Sequence, residues 1–377
     1  MSHWSFLVVV VVITALAFDF TNGFHDTANA MATSVATGAL PPRVAVGISG
    51  VLNLVGAFLS TEVAKTISGG IVNDALVTPA MIFAGLVGAI VWNLLTWLFG
   101  LPSSSSHALF GGLIGAVWVG AGVHGVHFDT VTEKILIPAI ASPLVAGLVA
   151  MVATYLAYVI TRRGREREVS RGFRYGQVAS ASLVSLAHGT NDAQKTMGVI
   201  TLTLISAGVL THGSGPPWWV VLMAGLAIAL GTYVGGWRII RTMGKGLTDI
   251  QSPQGFAAET ASTTVILASS HLGFALSTTQ VCSGGILGAG IGRRLAEVRW
   301  SVAGRMALAW LFTLPAAAAV GGVAAAVAKR GTAGVVIICV AALAVAAGIY
   351  VISRRNPIDS KNVNDEPMAP AMSATAA

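Results

Sequence analysis

Apolar side chains fill the chain in long blocks separated by short polar breaks, from one end to the other. The blocks predict helices over 4–40 and 175–210, each interrupted, and over 42–64, 79–99, 108–123, 135–161, 217–240, 255–275, 281–292, 306–328 and 333–352. A bilayer crossing takes about 20 apolar residues, and several blocks reach that length. The pattern is that of an all-α polytopic membrane protein of the cell membrane. Phe6–Phe18, with Ala15-Leu16-Ala17 near its end, imitates a secretory leader, but residues 1–5 hold no Lys or Arg, so the segment is expected to stay in the mature chain. Between 162 and 174, RRGREREVSRGFR sets six Arg against two Glu. It predicts a cytoplasmic hinge between a first membrane repeat, 1–161, and a second, 175–353. The segment 354–377 has no apolar periodicity and predicts a disordered polar tail.

Composition sharpens the class. The 22 Lys+Arg and 15 Asp+Glu make 10% of the chain, against roughly 25% in soluble domains, and the mean hydropathy is +0.77. The net charge of +7 does not point to nucleic acid, because the basic residues fall in short segments between apolar blocks. Cys282 and Cys339 sit singly inside apolar stretches, which excludes a disulfide framework or a zinc site and predicts buried thiols.

The chain is also duplicated. Gly23-x-His25-Asp26-x4-Met31 matches Gly189-x-Asn191-Asp192-x4-Met197, and Lys65–Ile71 matches Arg241–Leu247. Ser104-Ser105-Ser106-His107 with Gly111-Gly112 matches Ser277-Thr278-Thr279-Gln280 with Gly284-Gly285. Three matches in one order, with spacings that differ only by loop lengths, define two copies of one unit.

Basic residues gather on the cytoplasmic side, which puts the hinge, Arg238/Arg241/Lys245 and Arg293/Arg294/Arg299/Arg305 inside. The pair 255–275 and 281–292 is then flanked by inside charge at both ends, and reads as a re-entrant hairpin opening inward. Its counterpart, 79–99 with 108–123, is flanked by Asp74 and by 124–133, nearly free of Lys and Arg, and should open outward. Oppositely oriented copies make an inverted repeat, the plan of many secondary transporters. The N-terminus is expected outside and the C-terminus inside, with Lys329-Arg330 the exception to the rule.

Ionisable groups within apolar blocks cost roughly 2.5–3.5 kcal/mol each on insertion scales, so Asp26, Asp192, Lys195 and Glu259 are the functional candidates. Asp26 and Asp192 are equivalent by the duplication. Each follows a Gly in an over-long helix, which predicts an unwound turn whose carbonyls join the carboxylate around a small hard cation. The bland reading of the pair is a structural salt bridge or a helix cap. Asn29 shares a face with Asp26 as Lys195 does with Asp192, and Asn191, the counterpart of His25, completes the candidate cation-coupling set with Glu259. The clusters Ser104, Ser105, Ser106 and Ser277, Thr278, Thr279 begin helices at the two hairpin tips. Helix N-termini with added hydroxyls suit an oxyanion with several acceptor oxygens, and Gln194 and Lys195 complete the candidate anion-binding set. His25 and His107 are expected to act as neutral hydrogen-bonding groups, since their counterparts are Asn191 and Gln280. His188 and His271 carry no assignment, and no metal-ligand spacing occurs. Gly111/Gly115 and Gly284/Gly288 predict close helix packing.

At these residues the sequence resembles the inorganic phosphate transporter (Pit) family, specifically its bacterial branch. The resemblance is carried by NGFHDTANAMAT (22–33), GLPSSSSHALFGG (100–112), AHGTNDAQKTMG (187–198), GFAAETAST (255–263) and LSTTQ (276–280), and spans about 4–352. It implies symport of inorganic phosphate with a coupling cation, Na⁺ or H⁺, by a homodimer of inverted repeats without a cofactor. Asp26 and Asp192 would be the essential aspartates, and Glu259 matches a glutamate important in animal members. Asn53 stands where those members have another glutamate, and His25 replaces the Asn of their first motif.

Other readings are weaker. A symporter of another tetrahedral oxyanion such as sulfate would need the same residues, and phosphate could also travel as a metal–phosphate complex. A membrane-embedded serine hydrolase using Ser106, His107 or His188 lacks a GxSxG turn, and duplication of every polar motif is foreign to a single catalytic centre. No GxxxxGK[ST] loop for a primary pump is present.

Overall fold

The computed structural model describes residues 5–293 and 298–365. Among them there are helices and two isolated bridges, Val72 to Val126 and Thr248 to Val298, and no strands. The first copy contains α1 (Phe6–Ala36), α2 (Pro42–Gly56), α3 (Glu62–Gly69), α4 (Pro79–Leu98), α5 (Ser105–Ala121) and α6 (Phe128–Val131), which passes through a π turn into α7 (Ile137–Thr161). The second contains α8 (Glu166–Ser206), α9 (Trp218–Val234), α10 (Trp237–Arg241) with a π turn after it, α11 (Ser252–His271), α12 (Thr278–Arg293), α13 (Trp300–Ala328) and α14 (Thr332–Ser353). By length and hydropathy α1, α4, α6–α7, α13 and α14 can each cross a bilayer, and α9–α10 adds another if the bent pair is one span. Ile140, Leu144, Leu311, Val340 and Leu343 project exposed from α7, α13 and α14, the arrangement of helices whose outer face meets lipid.

The duplicated helices α1 and α8 lie side by side and run antiparallel. Asn22 reaches Asp192, whereas Thr37, just past the end of α1, donates to Gln177 near the start of α8. Two apolar cores follow from this crossing. One joins Val8–Phe18 of α1 with the second half of α8, α3, α4 and α5; the other joins Ala28–Val35 of α1 with the first half of α8, α7, α11 and α12. Between the cores α1 and α8 contribute a belt of buried polar residues that includes His25, Asp26, Asn191 and Asp192.

Four expectations are corrected. Helices α1 and α8 are continuous through Gly23 and Gly189, with no unwound turn before either aspartate. The glycines serve close approach: a Cβ on Gly23 would lie 2.4 Å from the carbonyl oxygen of Ile228, and one on Gly189 2.3 Å from that of Asn53. The breaks fall one element later. Where 42–64 and 217–240 each predicted one helix, the chain leaves α2 before α3 and bends by 61° between α9 and α10. Gly235 turns that corner at φ 80°, a conformation that costs glycine little. The Arg-rich hinge is loop only over 162–165, since Glu166 onward is already α8; its Glu residues suit a helix N-terminus. Finally, 354–365 is docked. Arg238 donates to the carbonyl of Asn356 at 2.6 Å, Arg241 to that of Asn362, Asn364 to that of Val35 at 3.3 Å, and Val363 is buried. These arginines compensate a segment that has one apolar anchor; the rest of the expected tail, 366–377, and Arg294 lie outside the described residues.

Small residues let helices pack backbone to backbone. A Cβ on Gly111 or Gly115 would strike the carbonyls of Leu314 or Ala318 of α13, and one on Gly284 or Gly288 those of Pro143 or Gly147 of α7. Hence α5 lies on α13 as α12 lies on α7, which bears out the packing role expected of both glycine pairs.

Candidate functional site

Helix α5 begins at Ser105 because Ser104 caps it, accepting a hydrogen bond from the backbone N–H of His107 at 3.1 Å. Ser277 does the same for Gln280 at 3.2 Å ahead of α12. The two capped helix starts lie against each other, since Ser106 donates to the carbonyl of Leu276 at 3.2 Å. Ser103, Ser104, Ser105, Ser106, Ser277, Thr278 and Thr279 are all buried, facing the polar belt of α1 and α8.

Each tip delivers a hydroxyl to an aspartate. Ser105 donates to Asp26 Oδ2 at 2.7 Å, and Thr278 to Asp192 Oδ2 at 3.3 Å. By the duplication these are the same contact made twice. Asp26 Oδ1 lies 2.6 Å from His25 Nδ1, whose Nε2 is 3.1 Å from Thr96 Oγ1. Asp192 Oδ1 receives Lys195 Nζ at 2.5 Å, with both side chains fully buried. Asn22 Nδ2 and His188 Nε2 each lie 3.4 Å from the other oxygen. Asn29 donates to Thr278 and Thr279 at 3.3 and 3.1 Å, so it belongs to the second tip although it sits on α1.

One ligand atom each from Asp26, His188 and Asp192 lies within 4.8 Å of the others, a triad able to hold a cation. The side-chain carbonyl oxygens of Asn22, Asn29 and Asn191 are buried without a donor, the type of atom that a hard cation selects. The cluster sets three carboxylates, Asp26, Asp192 and neighbouring Asp19, against the one ammonium of Lys195. Positive charge must therefore join it before an anion is welcome.

Two expected residues lie elsewhere. Gln194 accepts from the backbone N–H of Val63 and Ala64 at 2.8 and 3.2 Å, capping α3, and so stands apart from the anion donors. Glu259 sits in its own cage, accepting from Thr33 at 2.5 Å, Ser34 at 2.7 Å, Gln177 at 3.4 Å and Ser180. Thr33 is about two turns of α1 beyond Asp26. Asn191 donates to Ser270 of α11 at 2.8 Å, and His271 is exposed at the end of that helix.

Three groups at the site had no expected role. His188 also contacts Asn53 Oδ1 at 3.1 Å, which ties Asn53 on α2 to Asp192. Its signal was available, one turn before Asp192 on the same helix face. Asn22 stands at the matching position of the first copy. Asp19 is a fully buried carboxylate in the first apolar block, neighboured by Asn22, Thr196, Asp192 and Lys195; an aspartate in such a run is itself a signal.

A buried carboxylate–hydroxyl pair, made twice at the centre of an apolar helical bundle, is an arrangement suited to a membrane transporter. The chain belongs to the phosphate transporter family, whose sequence profile matches residues 22–321. It is 58% identical over 362 residues, covering 95% of this chain and 87% of the other, to a probable low-affinity inorganic phosphate transporter of Mycobacterium bovis. It is 42% identical to a protein of the same description from Bacillus subtilis, over 84% of this chain and 96% of that one. The fold resembles a solved structure described as the sodium-dependent phosphate transporter, with a TM-score of 0.78 and 24% identity, covering 87% of this chain and all of that one.

Proposed function

We propose that this multi-pass phosphate transporter is a symporter that imports inorganic phosphate with at least two positive charges held around Asp26 and Asp192. The observation that carries the reading is the pair of hydrogen bonds from Ser105 to Asp26 and from Thr278 to Asp192. A hydroxyl has one proton to donate, so a hydroxyl bound to its aspartate is closed to phosphate. A cation that takes the carboxylate frees that proton for the anion. Cation then precedes phosphate, and the transported anion meets the α5 and α12 N-termini together with Ser105, Thr278 and Thr279. Lys195 stays with Asp192 and limits the local negative charge. The 2.6 Å contact between His25 and Asp26 is a place where a proton can be held, and the Asp26–His188–Asp192 triad a place for a metal ion; Glu259 is a further station along the path.

The energetics ask for this coupling. Moving a phosphate dianion into a negative interior costs about 4.6 kcal/mol per 100 mV, at roughly 2.3 kcal/mol per charge. Two positive charges cancel that cost. The antiparallel crossing of α1 and α8 supports an inverted repeat, with α4–α5 opening outward, α11–α12 opening inward, and the Arg-rich hinge and the 354–365 segment in the cytoplasm. The family resemblance adds a homodimer, which light scattering on the solubilised protein would measure.

Uptake of labelled phosphate by proteoliposomes, with sodium and pH gradients imposed separately, tests the proposal. Accumulation driven by at least one gradient is expected, as is loss of accumulation in Asp26→Asn and Asp192→Asn. Concentrative uptake by Asp26→Asn, or uptake outcompeted by sulfate at equal concentration, would overturn it.

A further inference from the structure

A cavity of about 560 Å³ lies where the Arg-rich turn meets the start of α11 and the end of α12. Its lining includes Arg162, Arg174 and Arg293, against one carboxylate, Glu166. We propose that this cavity is a binding site for a phosphate group, separate from the transport site, through which a ligand restrains the hairpin.

Charge and donor type select the ligand. Among the described lining residues three guanidinium groups stand against one carboxylate. Guanidinium forks match phosphate oxygens two at a time. Neighbouring Arg165 is engaged by Glu168 at 3.3 Å, whereas among the described residues neither Arg162 nor Arg174 has an ion pair or a side-chain hydrogen bond. The Arg293 guanidinium lies 5.6 Å from the centre of the Tyr158 ring, which holds it at the wall by a cation–π contact. The volume is in the range of small-molecule sites, about 300–1,000 Å³, ample for a phosphate ester or a lipid headgroup as well as the free ion.

Position supplies the consequence. The wall is assembled from the end of α7, the start of α8, the start of α11 and the end of α12. A ligand bridging the arginines ties α7 and α8 to both open ends of the hairpin whose tip carries Thr278 to Asp192. Thr37, also on the wall, donates to Gln177 at 2.8 Å, and Gln177 to Glu259 at 3.4 Å. The wall is thereby linked by hydrogen bonds to Glu259 inside the bundle. The site rests on the proposed orientation only for the side from which its ligand comes, the cytoplasm.

The phosphate group can belong to free phosphate or to an anionic phospholipid, and one set of proteins separates the two. Full-length wild type, Arg162→Gln/Arg174→Gln and Ser105→Ala/Thr278→Ala would be titrated with radiolabelled inorganic phosphate in phosphatidylcholine nanodiscs, with sodium present at saturating concentration and across a range of pH so that the transport site holds its cation. The same proteins in nanodiscs that also contain phosphatidylglycerol would be examined for retained lipid by native mass spectrometry. If the source is the free ion, wild type binds two phosphates, the arginine variant loses one and the hydroxyl variant the other. If the source is lipid, wild type binds one phosphate and retains phosphatidylglycerol, and the arginine variant retains roughly tenfold less, as expected for loss of charged hydrogen bonds. Both arginines are exposed, and a monodisperse elution profile would verify folding. Wild-type phosphate stoichiometry together with wild-type lipid retention in the arginine variant overturns the site. Failure of the hydroxyl variant alone to lose phosphate would instead count against the transport site.

Discussion

At the scale of single residues, the site is governed by which hydroxyl serves which carboxylate. Ser105 and Thr278 occupy equivalent positions, and each gives its proton to an aspartate fixed on another helix. Replacing either by Ala is expected to weaken phosphate binding by about 1–3 kcal/mol, the range for a lost hydrogen bond to a charged group; the apparent KM of uptake measures it, and unchanged values in both variants would remove these hydroxyls from the pocket. Lys195 offers a different test. It forms a buried pair with Asp192 at 2.5 Å, and Lys195→Met leaves that carboxylate uncompensated, a loss of about 3–5 kcal/mol. Thermal unfolding in detergent should register a large fall for Lys195→Met and recovery for Lys195→Met/Asp192→Asn. The double variant should still fail to concentrate phosphate, because its coupling carboxylate is gone. Recovery of transport along with stability would make Asp192 a structural residue only.

At the scale of elements, continuity of α1 and α8 matters more than the break that their length suggested. These helices carry the two aspartates without a break, and the bend falls instead between α9 and α10. The packing of α1 and α8 depends on contacts that tolerate no Cβ: Gly189 faces the backbone of Asn53 on α2, and Gly23 that of Ile228 on α9. Gly189→Val should push α2 from α8 and displace Asn53 from His188. The expected outcome is loss of uptake with a lowered melting temperature, since overpacking costs about 1–3 kcal/mol. Gly172→Val, on the same helix with nothing within 4 Å of its Cβ, should be nearly silent in both measurements. Equal effects at the two positions would show that the close approach is not what Gly189 provides.

For the whole molecule, orientation in the bilayer follows from the distribution of arginine. A cysteine placed at 127 should react with an impermeant reagent on intact cells, and one placed at 168 should react only after the membrane is opened. The reverse pattern would invert the molecule and with it the direction from which the arginine-lined cavity is reached. The docked 354–365 segment belongs to the same face, bound through Arg238 and Arg241. Truncation after Arg355 removes its buried Val363 and should lower the melting temperature while leaving the coupling pattern unchanged.

The membrane class, the duplication, the paired aspartates and the two serine-rich helix starts were all legible along the chain. Each is a local pattern: a run of apolar residues, a repeated spacing, a cap beside its helix. What depends on distant backbones meeting was not legible. Gly23 and Gly189 looked like helix breakers because a sequence does not show the carbonyl pressed against a missing Cβ. Gln194 looked like a donor to the anion, but the start of α3, far away in sequence, claims it. His188 lies one turn from Asp192 on its own helix, but its second contact, to Asn53, came only with α2 packed against α8, and Glu259 proved to be caged by Thr33, Ser34, Gln177 and Ser180 rather than joined to the aspartates. Composition and periodicity determine that most of the chain is membrane-bound helix, since that choice rests on transfer and hydrogen-bonding within one segment, but the breaks between α2 and α3 and between α9 and α10 escape them. Which polar groups satisfy one another, and which remain to meet a cation or a phosphate, is decided by tertiary packing, because a buried hydrogen bond needs a partner that only the fold brings within reach.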